Sequence, residues 1–263
     1  MATKQKTPPA QDHLPGTVTA GLIVIGNEIL SGRTHDKNIA YIAEKLEEHG
    51  IQLAQVRIVG DNEHDIIEAV NALRGRYRYV FTTGGIGPTH DDITAPSIAK
   101  AFNRVMERNT EALKRLRAYY KVEDFNDARQ RMADMPRDVH LIDNPVSAAP
   151  GFYLENVYVL AGVPAIMQAM LDSILPSLKA GASIKTKTIQ TELKEGQMAA
   201  TLAKIQSQHA AKVTIGSYPF FKEGQVGVSL VLRSTDEFAL QKAYQDVKAM
   251  LDDIAAHSTS KAL

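Results

Sequence analysis

The feature that most constrains this fold is a repeat in which an apolar run ends near a glycine and gives way to a helical pattern. The apolar runs cover residues 18–25, 51–59 and 77–83. Between them, apolar residues recur at spacings of three and four, as on one face of a helix. Because the connections are short, this strand–helix repeat predicts a parallel sheet with right-handed crossovers and helices on both faces.

The pattern changes after residue 178, where apolar and polar residues begin to alternate in a way typical of half-exposed strands. The order strand, helix, strand, strand, helix resembles half of a ferredoxin-like fold. Residues 1–16 are polar with three prolines and predict a disordered tail. The predicted domains are therefore the tail, an α/β domain over 17–178 and a small α+β domain over 179–263.

Charge and composition limit the classes of partner and the compartment. Thirty basic side chains balance thirty acidic ones, whereas binding a long nucleic acid or an anionic membrane favours a basic excess. We therefore expect neither partner. The chain contains no cysteine, which fits a reducing cytoplasm. No uninterrupted apolar run approaches the roughly 20 residues of a membrane span. We expect a cytoplasmic protein.

The stretch 80–94, VFTTGGIGPTHDDIT, carries the strongest functional pattern. Glycines at 84, 85 and 87 let the backbone approach a ligand closely, and the next helix presents unpaired N–H groups to an anion. The stretch lacks the Gly-Lys-Ser/Thr ending of a P-loop and the spacing of a dinucleotide fingerprint. Carboxylates at Asp91 and Asp92 would repel a phosphate unless a cation lay between them, which predicts Mg²⁺ or a similar hard ion. The alternative is a simple glycine turn in which Asp92 caps the next helix.

Polar residues also follow the first and second strands, and these strand ends share one edge of a parallel sheet with the glycine stretch. Asp61 ends the second strand and, together with Asp92, could hold a metal or activate water. Asn27 could hydrogen-bond a ring, and Glu28 could bind a metal or take a proton. Ser31 and Gly32 could add donors. The alternatives are a helix cap for Asp61 and a turn with a solvated acid for Glu28.

Other polar residues have simpler interpretations. Asp36 and Asn38 are predicted to cap the following helix. Tyr218, in the second domain, could stack on a ligand ring or be a core aromatic residue of a small sheet. No histidine pair has zinc-ligand spacing, and no Gly-x-Ser-x-Gly motif is present. A zinc site and a hydrolase nucleophile elbow are therefore not predicted.

In these motifs the sequence resembles the MoaB/Mog-like molybdopterin-binding family. It is more closely similar to the N-terminal part of the CinA-type competence/damage-inducible proteins and to the related domain of eukaryotic FAD synthases. The similarity spans about residues 18–251. The matching stretches are GNEILSG at 26–32, VGD at 59–61, TTGGIGPT at 82–89, DDIT at 91–94, NP at 144–145, APGF at 149–152, GVP at 162–164 and GSYP at 216–219.

The resemblance implies a three-layer α/β/α fold that binds a phosphorylated pterin or nucleotide at the carboxyl edge of its sheet. In the Mog-like branch, residues matching Asp61 and Asp92 are tied to adenylylation of molybdopterin. In the CinA-like branch the domain is associated with metal-dependent hydrolysis of pyrophosphates such as ADP-ribose or FAD. The family also implies a homo-oligomer, a dimer or a trimer.

Three departures from the family pattern bear on activity. Ile166 stands where the family usually has a glutamate, Ala161 stands where a proline is usual, and Ser147 replaces a usual glycine. If that glutamate normally helps to hold the metal, hydrolysis would be weakened or lost. The amidase domain of full CinA proteins does not follow in this sequence, so deamidation of a nicotinamide nucleotide is not expected.

Three functions therefore stay open: metal-dependent nucleotide pyrophosphatase, which we favour, molybdopterin adenylyltransferase, and a pterin- or nucleotide-binding protein without turnover. The expected cofactor is a divalent metal (Mg²⁺, Mn²⁺ or Co²⁺), with molybdopterin as a further candidate ligand. Asp61 and Asp92 are the predicted catalytic residues, and Asp61, Asp91 and Asp92 the predicted metal ligands. The predicted ligand-binding residues are Asn27, Glu28, Ser31, Gly32, Thr83, Gly84, Gly85, Gly87, Thr94 and Ser217.

Overall fold

The computed structural model describes residues 14–222 and 225–260. These divide into two units, which we call the N-terminal unit, Val18–Ala180, and the C-terminal unit, which comprises residues 14–17, 181–222 and 225–260. Most of the predicted tail, residues 1–13, lies outside the described residues. Across the described ranges, no helix combines the length and apolar character that a membrane crossing requires.

A mixed sheet of six strands forms the centre of the N-terminal unit, in the order β2-β1-β3-β8-β7-β6. These strands are β1 Val18–Ile25, β2 Ile51–Val59, β3 Tyr79–Thr83, β6 His140–Ile142, β7 Gly151–Leu154 and β8 Val157–Leu160. The helices are α1 Asn27–Leu30, α2 Asn38–Glu48, α3 Glu63–Arg74, α4 Thr94–Ala101, α5 Thr110–Tyr119, α6 Asp127–Arg131 and α7 Pro164–Ile174. Two short strands, β4 Met106–Arg108 and β5 Asp134–Pro136, pair separately.

The predicted parallel arrangement holds for the four strands β2, β1, β3 and β8. The edge strands β7 and β6 instead run antiparallel. Only Glu155 and Asn156 separate β7 from β8, and a connection of two residues can join only antiparallel neighbours. The backbone of Glu155 has a φ of 52°, as a tight turn of this kind requires.

Helices cover both faces of the sheet, which confirms the predicted three-layer α/β/α architecture. On one face Ile66 and Leu73 of α3 pack with Ile98 of α4 around fully buried strand residues. On the other face Leu46 of α2 and Met167 of α7 form a second buried cluster. This arrangement leaves the loops after β1, β2, β3 and β8 at one edge of the sheet, as parallel strands dictate.

The boundaries of the predicted helices are close to the observed ones. The sequence patterns predict helices at about 36–49, 94–103, 110–121 and 126–133. The observed helices α2, α4, α5 and α6 begin and end within two residues of these bounds. The sequence patterns did not predict α1, β4 or β5. Each of these elements has only three or four residues, which is too short to show a period.

In the C-terminal unit the element order is the one predicted: β9 Lys185–Thr191, α8 Glu195–His209, β10 Val213–Lys222, β11 Gln225–Ser234 and α9 Glu237–Ser260. The three strands form an antiparallel sheet in the order β10-β11-β9. The two helices pack against it through buried residues that include Met198, Ile205, Leu230, Leu240 and Val247. This unit therefore has a hydrophobic core of its own.

Candidate functional site

A cavity of about 600 Å³ lies at the carboxyl edge of the parallel strands. Its walls come from the loops that follow β1, β2, β3 and β8 and from the turn before β7. The two predicted catalytic carboxylates, Asp61 and Asp92, both line it, although 31 positions separate them in the sequence. The structure therefore brings the predicted strand ends together at one site.

The backbone conformation and close contacts of the loop after β3 require glycine at several of its positions. Gly84 and Gly85 have φ angles of +102° and +67°, which side-chain-bearing residues rarely adopt. A Cβ atom at Gly84 would overlap the carbonyl oxygen of Ile25, and one at Gly85 would overlap the hydroxyl of Thr94. At Gly87 a Cβ atom would lie 2.7 Å from Asp92 Oδ2. The loop thus packs tightly against Ile25, Thr94 and Asp92, and its residues also line the cavity.

Backbone amides in this loop are only partly available to an anion. The amide of Gly84 donates to the carbonyl of Leu160 at 3.2 Å, so this amide is not free to bind an anion, although Gly84 itself lines the cavity. Its close packing against Ile25 is what makes a glycine necessary at this position. Across the described residues, the amides of Gly85, Ile86 and Gly87 donate no hydrogen bond. These three successive donors form the anion cradle.

Two threonines predicted to bind the ligand are buried instead. Thr94 is completely buried; its hydroxyl donates to the carbonyl of Gly84 at 2.9 Å and its amide to the carbonyl of Gly85 at 3.0 Å. Thr94 therefore holds the glycine loop in place and does not line the cavity. Thr83 is 1% exposed, and its hydroxyl has no hydrogen-bond partner among the described residues. It borders a separate cavity of about 70 Å³.

Asp91 and Asp92 converge on the side chain of Thr89. The Thr89 hydroxyl lies 2.6 Å from Asp91 Oδ1 and 2.5 Å from Asp92 Oδ2, and the Thr89 amide donates to the same Asp92 oxygen at 2.8 Å. The hydroxyl has one proton and can donate to only one carboxylate at a time. Its hydrogen bond lowers the pKa of Asp91 below the ordinary value.

Asp92 and Asp61 do not cap helices, so both capping interpretations are wrong. Ile93 precedes α4 without any side-chain capping bond. The cap of α3 is Asn62, whose side chain accepts from the amide of Asp65 at 3.2 Å. Asp61 instead accepts from the amide of Asn27 at 2.9 Å, and the amide of Asp61 donates to Asn27 Oδ1 at 3.4 Å. The Asn27 side chain thus joins two loops and does not line the cavity.

The predicted donors Ser31 and Gly32 also lie outside the cavity lining. The Ser31 hydroxyl donates to the carbonyl of Glu28 at 3.3 Å, and Gly32 has open space around it; neither residue lines the cavity. Ser217 belongs to the C-terminal unit, where its hydroxyl donates to Glu195 at 2.7 Å. In the same strand Tyr218 is 55% exposed, so its interpretation as a core aromatic residue is wrong.

The two predicted caps of α2 have different outcomes. Asp36 accepts from the amide of Ile39 at 2.7 Å, as a capping carboxylate does. Asn38 is buried, and its amide nitrogen donates to the carbonyl of Gly162 at 2.8 Å. The expectation that Asn38 caps the helix is therefore wrong. It fastens α2 to the loop after β8, which forms one wall of the site.

The charge of the cavity is strongly one-sided. Four carboxylates line it, from Glu28, Asp61, Asp91 and Asp92, and no lysine or arginine side chain does. Throughout the part of the chain that the structure describes, none of these four forms an ion pair with lysine or arginine. An anion could approach the glycine amides only if a cation offset these charges.

The carboxylates do not form a complete metal site by themselves. Among the residues that the structure describes, no group of three or more His, Cys, Asp and Glu side chains could hold a metal ion. Mg²⁺ in phosphate-binding sites usually takes one or two carboxylates and completes its shell with substrate phosphates and water. Asp91 and Asp92 converge on Thr89 and line the cavity beside free amides, so these two fit a cation that is shared with an anionic ligand. The predicted set of three ligands that adds Asp61 is not formed among the described residues.

Several residues that line the site were missed by the sequence analysis. Tyr120 and Met132 come from the segment between α5 and β5, and Asn144 and Ser147 from the turn before β7. The Asn144 side chain builds this turn by accepting from the amide of Ser147 at 3.1 Å. The NP motif signalled the turn, but no local pattern signalled that Tyr120 or Met132 reaches the cavity.

Comparisons with known proteins agree with this fold. Residues 21–180 match the family model described as "Probable molybdopterin binding domain", and residues 183–259 match "FAD synthase, middle domain". A protein of Pyrococcus abyssi is 31% identical over 241 residues, covering 86% of this chain and 94% of its own. A protein of Archaeoglobus fulgidus is 34% identical over 232 residues, covering 88% of this chain and 97% of its own.

Two further relatives carry the CinA name. A CinA-like protein of Geotalea uraniireducens is 38% identical over 177 residues, which cover 64% of this chain and 42% of that longer protein. The crystal structure of the CinA protein of Thermoplasma acidophilum, whose function is described as unknown, is 33% identical with a TM-score of 0.58. It covers 61% of this chain and 98% of its own. The chain therefore belongs to the family of the molybdopterin binding domain, in its CinA-type branch.

Proposed function

We propose that the N-terminal unit hydrolyses a nucleotide pyrophosphate, of the class that includes ADP-ribose and FAD, with the help of a divalent cation. One observation carries the proposal: Gly85, Ile86 and Gly87, whose amides donate no hydrogen bond among the described residues, line a cavity that four carboxylate residues and no basic residue also line. Such a site binds an anion and a cation together, and a phosphoanhydride with its metal is the matching class of ligand.

Each group in the site has a defined task in this reaction. The amides of residues 85–87 bind phosphate oxygens and stabilise the charge that develops on them. Asp91 and Asp92 would hold the cation, which would neutralise phosphate charge and lower the pKa of bound water. The oxygen of water bonds to one phosphorus, and the bridging oxygen leaves with the other phosphate. Asp61 or Asp92 accepts the proton that the water loses.

Ile166 favours a second candidate, a protein that binds a pterin or nucleotide without turnover. It lies in α7 and lines the cavity beside the four carboxylates. The family usually has a glutamate at this position, and an isoleucine can neither bind a metal nor move a proton. The matching molybdopterin family model also supports a pterin as the ligand. Adenylyl transfer from ATP to molybdopterin would use the same amides and carboxylates.

The three candidates differ in their products. The purified full chain is incubated with ADP-ribose, with FAD, or with ATP and molybdopterin, each in the presence of Mg²⁺, Mn²⁺ or Co²⁺. Release of AMP from the first two, abolished by EDTA and restored by the metal, supports hydrolysis. Pyrophosphate release from ATP that requires molybdopterin supports adenylyl transfer. Saturable binding without any product supports the binding protein and overturns the enzymatic proposal.

A homo-oligomer, dimeric or trimeric, is also part of this proposal, and it rests on family resemblance alone. Sedimentation velocity of the full chain measures the mass of the assembly directly. A single species at the mass of 28.8 kDa that the sequence gives would contradict it. Adding the preferred nucleotide and metal in the same experiment shows whether the ligand changes the assembly.

A further inference from the structure

A second cavity, of about 310 Å³, adjoins the first and has no role in the proposed function. Residues 85–89 of the glycine loop and Asp92 border both cavities. Further lining comes from α4 and from the paired strands β4 and β5, which the larger cavity does not touch, and from Arg131 of α6 and Phe152 of β7. A ligand whose phosphates lie on the loop could therefore extend into either space.

The lining of this second cavity suits a flat organic ring. Met135 and Phe152 are 2% and 1% exposed and form a fixed apolar wall. Met106 is 39% exposed, and Met132 is half-buried and borders both cavities. Methionine side chains adapt to the shape of a bound group and make favourable contacts with aromatic rings. The volume lies at the lower end of the roughly 300–1,000 Å³ of small-molecule pockets, which is enough for one ring system.

Arg131 links this cavity to the glycine loop. Arg131 lines the cavity, and its Nη2 donates to the carbonyl of Pro88 at 3.2 Å. Within the described residues Arg131 forms no ion pair, whereas the nearby Asp134 is neutralised by Arg108 through bonds of 2.7 and 3.0 Å. Arg131 therefore keeps donors for an anionic group at the junction, and a guanidinium binds phosphate oxygens well.

We propose that the second cavity is a subsite for one ring of a dinucleotide whose pyrophosphate lies on the amides of residues 85–87. The larger cavity then holds the other end of the same molecule, and Arg131 binds the phosphates from the side of the smaller one. This inference rests on the proposed function and narrows it to substrates that carry a substantial group at each end of the phosphoanhydride. We assign the adenosine end to the larger cavity, so that nucleoside di- and triphosphates, which have a ring at one end only, leave the smaller cavity empty.

The test fills the second cavity without touching the larger one. Met106→Trp places a bulky indole at a partly exposed lining position of the smaller cavity alone. Val105→Trp is the matched control, since Val105 is 55% exposed and lines neither cavity. Dissociation constants are measured by calorimetry with Mg²⁺ for FAD and ADP-ribose, which are two-ended, and for ADP, which is one-ended. Circular dichroism and thermal unfolding report on the fold of each variant.

We expect Met106→Trp to weaken the binding of at least one two-ended ligand by about tenfold or more and that of ADP by less than about twofold. The indole would exclude one end of a two-ended ligand from the second cavity, and only that end would lose its buried contacts. Val105→Trp should change none of the three. Equal weakening of two-ended and one-ended ligands, or no weakening at all, overturns the inference. Should Met106→Trp not fold, Ala95→Leu fills the same cavity from the first turn of α4, where leucine is a good helix former.

Turnover separates this inference from the proposed function. If the wild-type chain cleaves FAD or ADP-ribose and Met106→Trp cleaves it with the same KM, the proposed function stands and the subsite is wrong. If the wild-type chain neither binds nor cleaves any two-ended ligand, the proposed function fails and the subsite falls with it. A rise in KM with Met106→Trp, absent in Val105→Trp, supports both.

Discussion

Asn27 and Asp61 hold each other through a reciprocal pair of hydrogen bonds between the ends of two neighbouring strands. The amide of Asn27 donates to Asp61 Oδ2 at 2.9 Å, and the amide of Asp61 donates to Asn27 Oδ1 at 3.4 Å. The pair fixes the loop after β1 to the loop after β2. It also leaves Asp61 at the wall of the cavity with an oriented carboxylate.

The first prediction separates the charge of Asp61 from its hydrogen bond. Asp61→Asn keeps an oxygen that can accept from the Asn27 amide but removes the charge. We expect turnover to fall by about 10²-fold or more, as for the loss of a general base, with an unchanged melting temperature. Asp61→Ala should lose the same activity and also about 1 kcal/mol of the free energy of unfolding, because the amide bond is lost.

The measurements are steady-state hydrolysis with saturating metal and urea denaturation of both variants. Equal stability of Asp61→Asn and Asp61→Ala would show that the bond to Asn27 contributes nothing to the fold. Full activity in Asp61→Asn would remove this carboxylate from the mechanism.

The second prediction concerns Asp92, whose carboxylate accepts hydrogen bonds from both the amide and the hydroxyl of Thr89. Asp92→Asn retains an acceptor for the amide, so we expect the melting temperature to change by less than about 2 °C. Metal-dependent turnover should fall by about 10²-fold or more because the cation loses a charged ligand. The control is Asp138→Asn, an exposed aspartate with a φ of 66° that asparagine also adopts, which should keep full activity.

Isothermal titration with Mn²⁺ plus a non-hydrolysable dinucleotide measures the cation step separately. A normal cation affinity with lost turnover would assign Asp92 to proton transfer alone. A large loss of melting temperature with turnover intact would make it a structural residue.

The convergence of Asp61 and Asp92 could be predicted from the sequence because the carboxyl ends of parallel strands share one edge of the sheet. The hydrogen-bond partners of the residues at that edge could not be predicted. Asp61 and Asn62 are adjacent and are both good capping residues. Asn62 takes the cap because the Asp61 carboxylate is bound by the amide of Asn27, 34 positions away.

The same limit applies to the glycine loop. Three glycines indicated a phosphate-binding backbone, but the amide of Gly84 is bound by Leu160 at the end of β8, a strand 76 positions further on. Tyr120 and Met132 reach the cavity through the packing of α5 and α6, which no local pattern describes. Long-range pairing therefore decided which predicted groups remained available to a ligand.

A third prediction uses two glycines with similar backbone angles. Gly85 and Gly32 have φ angles of +67° and +70°, but a Cβ atom at Gly85 overlaps the Thr94 hydroxyl, whereas at Gly32 it meets nothing within 4 Å. Gly32→Ala should cost about 1 kcal/mol of the free energy of unfolding from backbone strain and leave ligand binding unchanged. Gly85→Ala should cost more and abolish nucleotide binding, because the cradle amides move.

Urea denaturation and calorimetric titration with the nucleotide compare the two variants directly. The explanation fails if Gly85→Ala and Gly32→Ala lose equal stability and both bind the ligand as the wild-type chain does.

The fourth prediction is a pH dependence set by Tyr158. Burial among Tyr79, Phe81 and Tyr153 raises its pKa from 10.0 to about 12. The folded protein holds the phenol proton more tightly than the unfolded chain does. The stability from this group is therefore complete below pH 10.0 and is lost as the pH rises towards about 12.

Tyr158→Phe should remove this loss of stability at alkaline pH while keeping the ring stack with Tyr153. Tyr119→Phe is the control, because Tyr119 is 53% exposed, and it should leave the loss of stability unchanged. Thermal unfolding between pH 8 and pH 11 measures it. Parallel curves for the wild-type chain and Tyr158→Phe over that range would contradict the assignment.

The last prediction addresses the apolar residue in the carboxylate-lined cavity. Ile166 is half-buried in α7 and lines the cavity where the family usually carries a glutamate. If a carboxylate there contributes to the cation site, Ile166→Glu should raise metal-dependent turnover at limiting metal by about tenfold and lower the metal concentration for half-maximal activity. Ile166→Gln, which has the same length without the charge, should do neither.

Turnover with Mn²⁺ titrated from zero measures both variants against the wild-type chain. A wild-type chain that binds the dinucleotide without cleaving it, together with a cleaving Ile166→Glu, would identify the native protein as a binder. Equal activity of all three chains would mean that Asp61, Asp91 and Asp92 suffice.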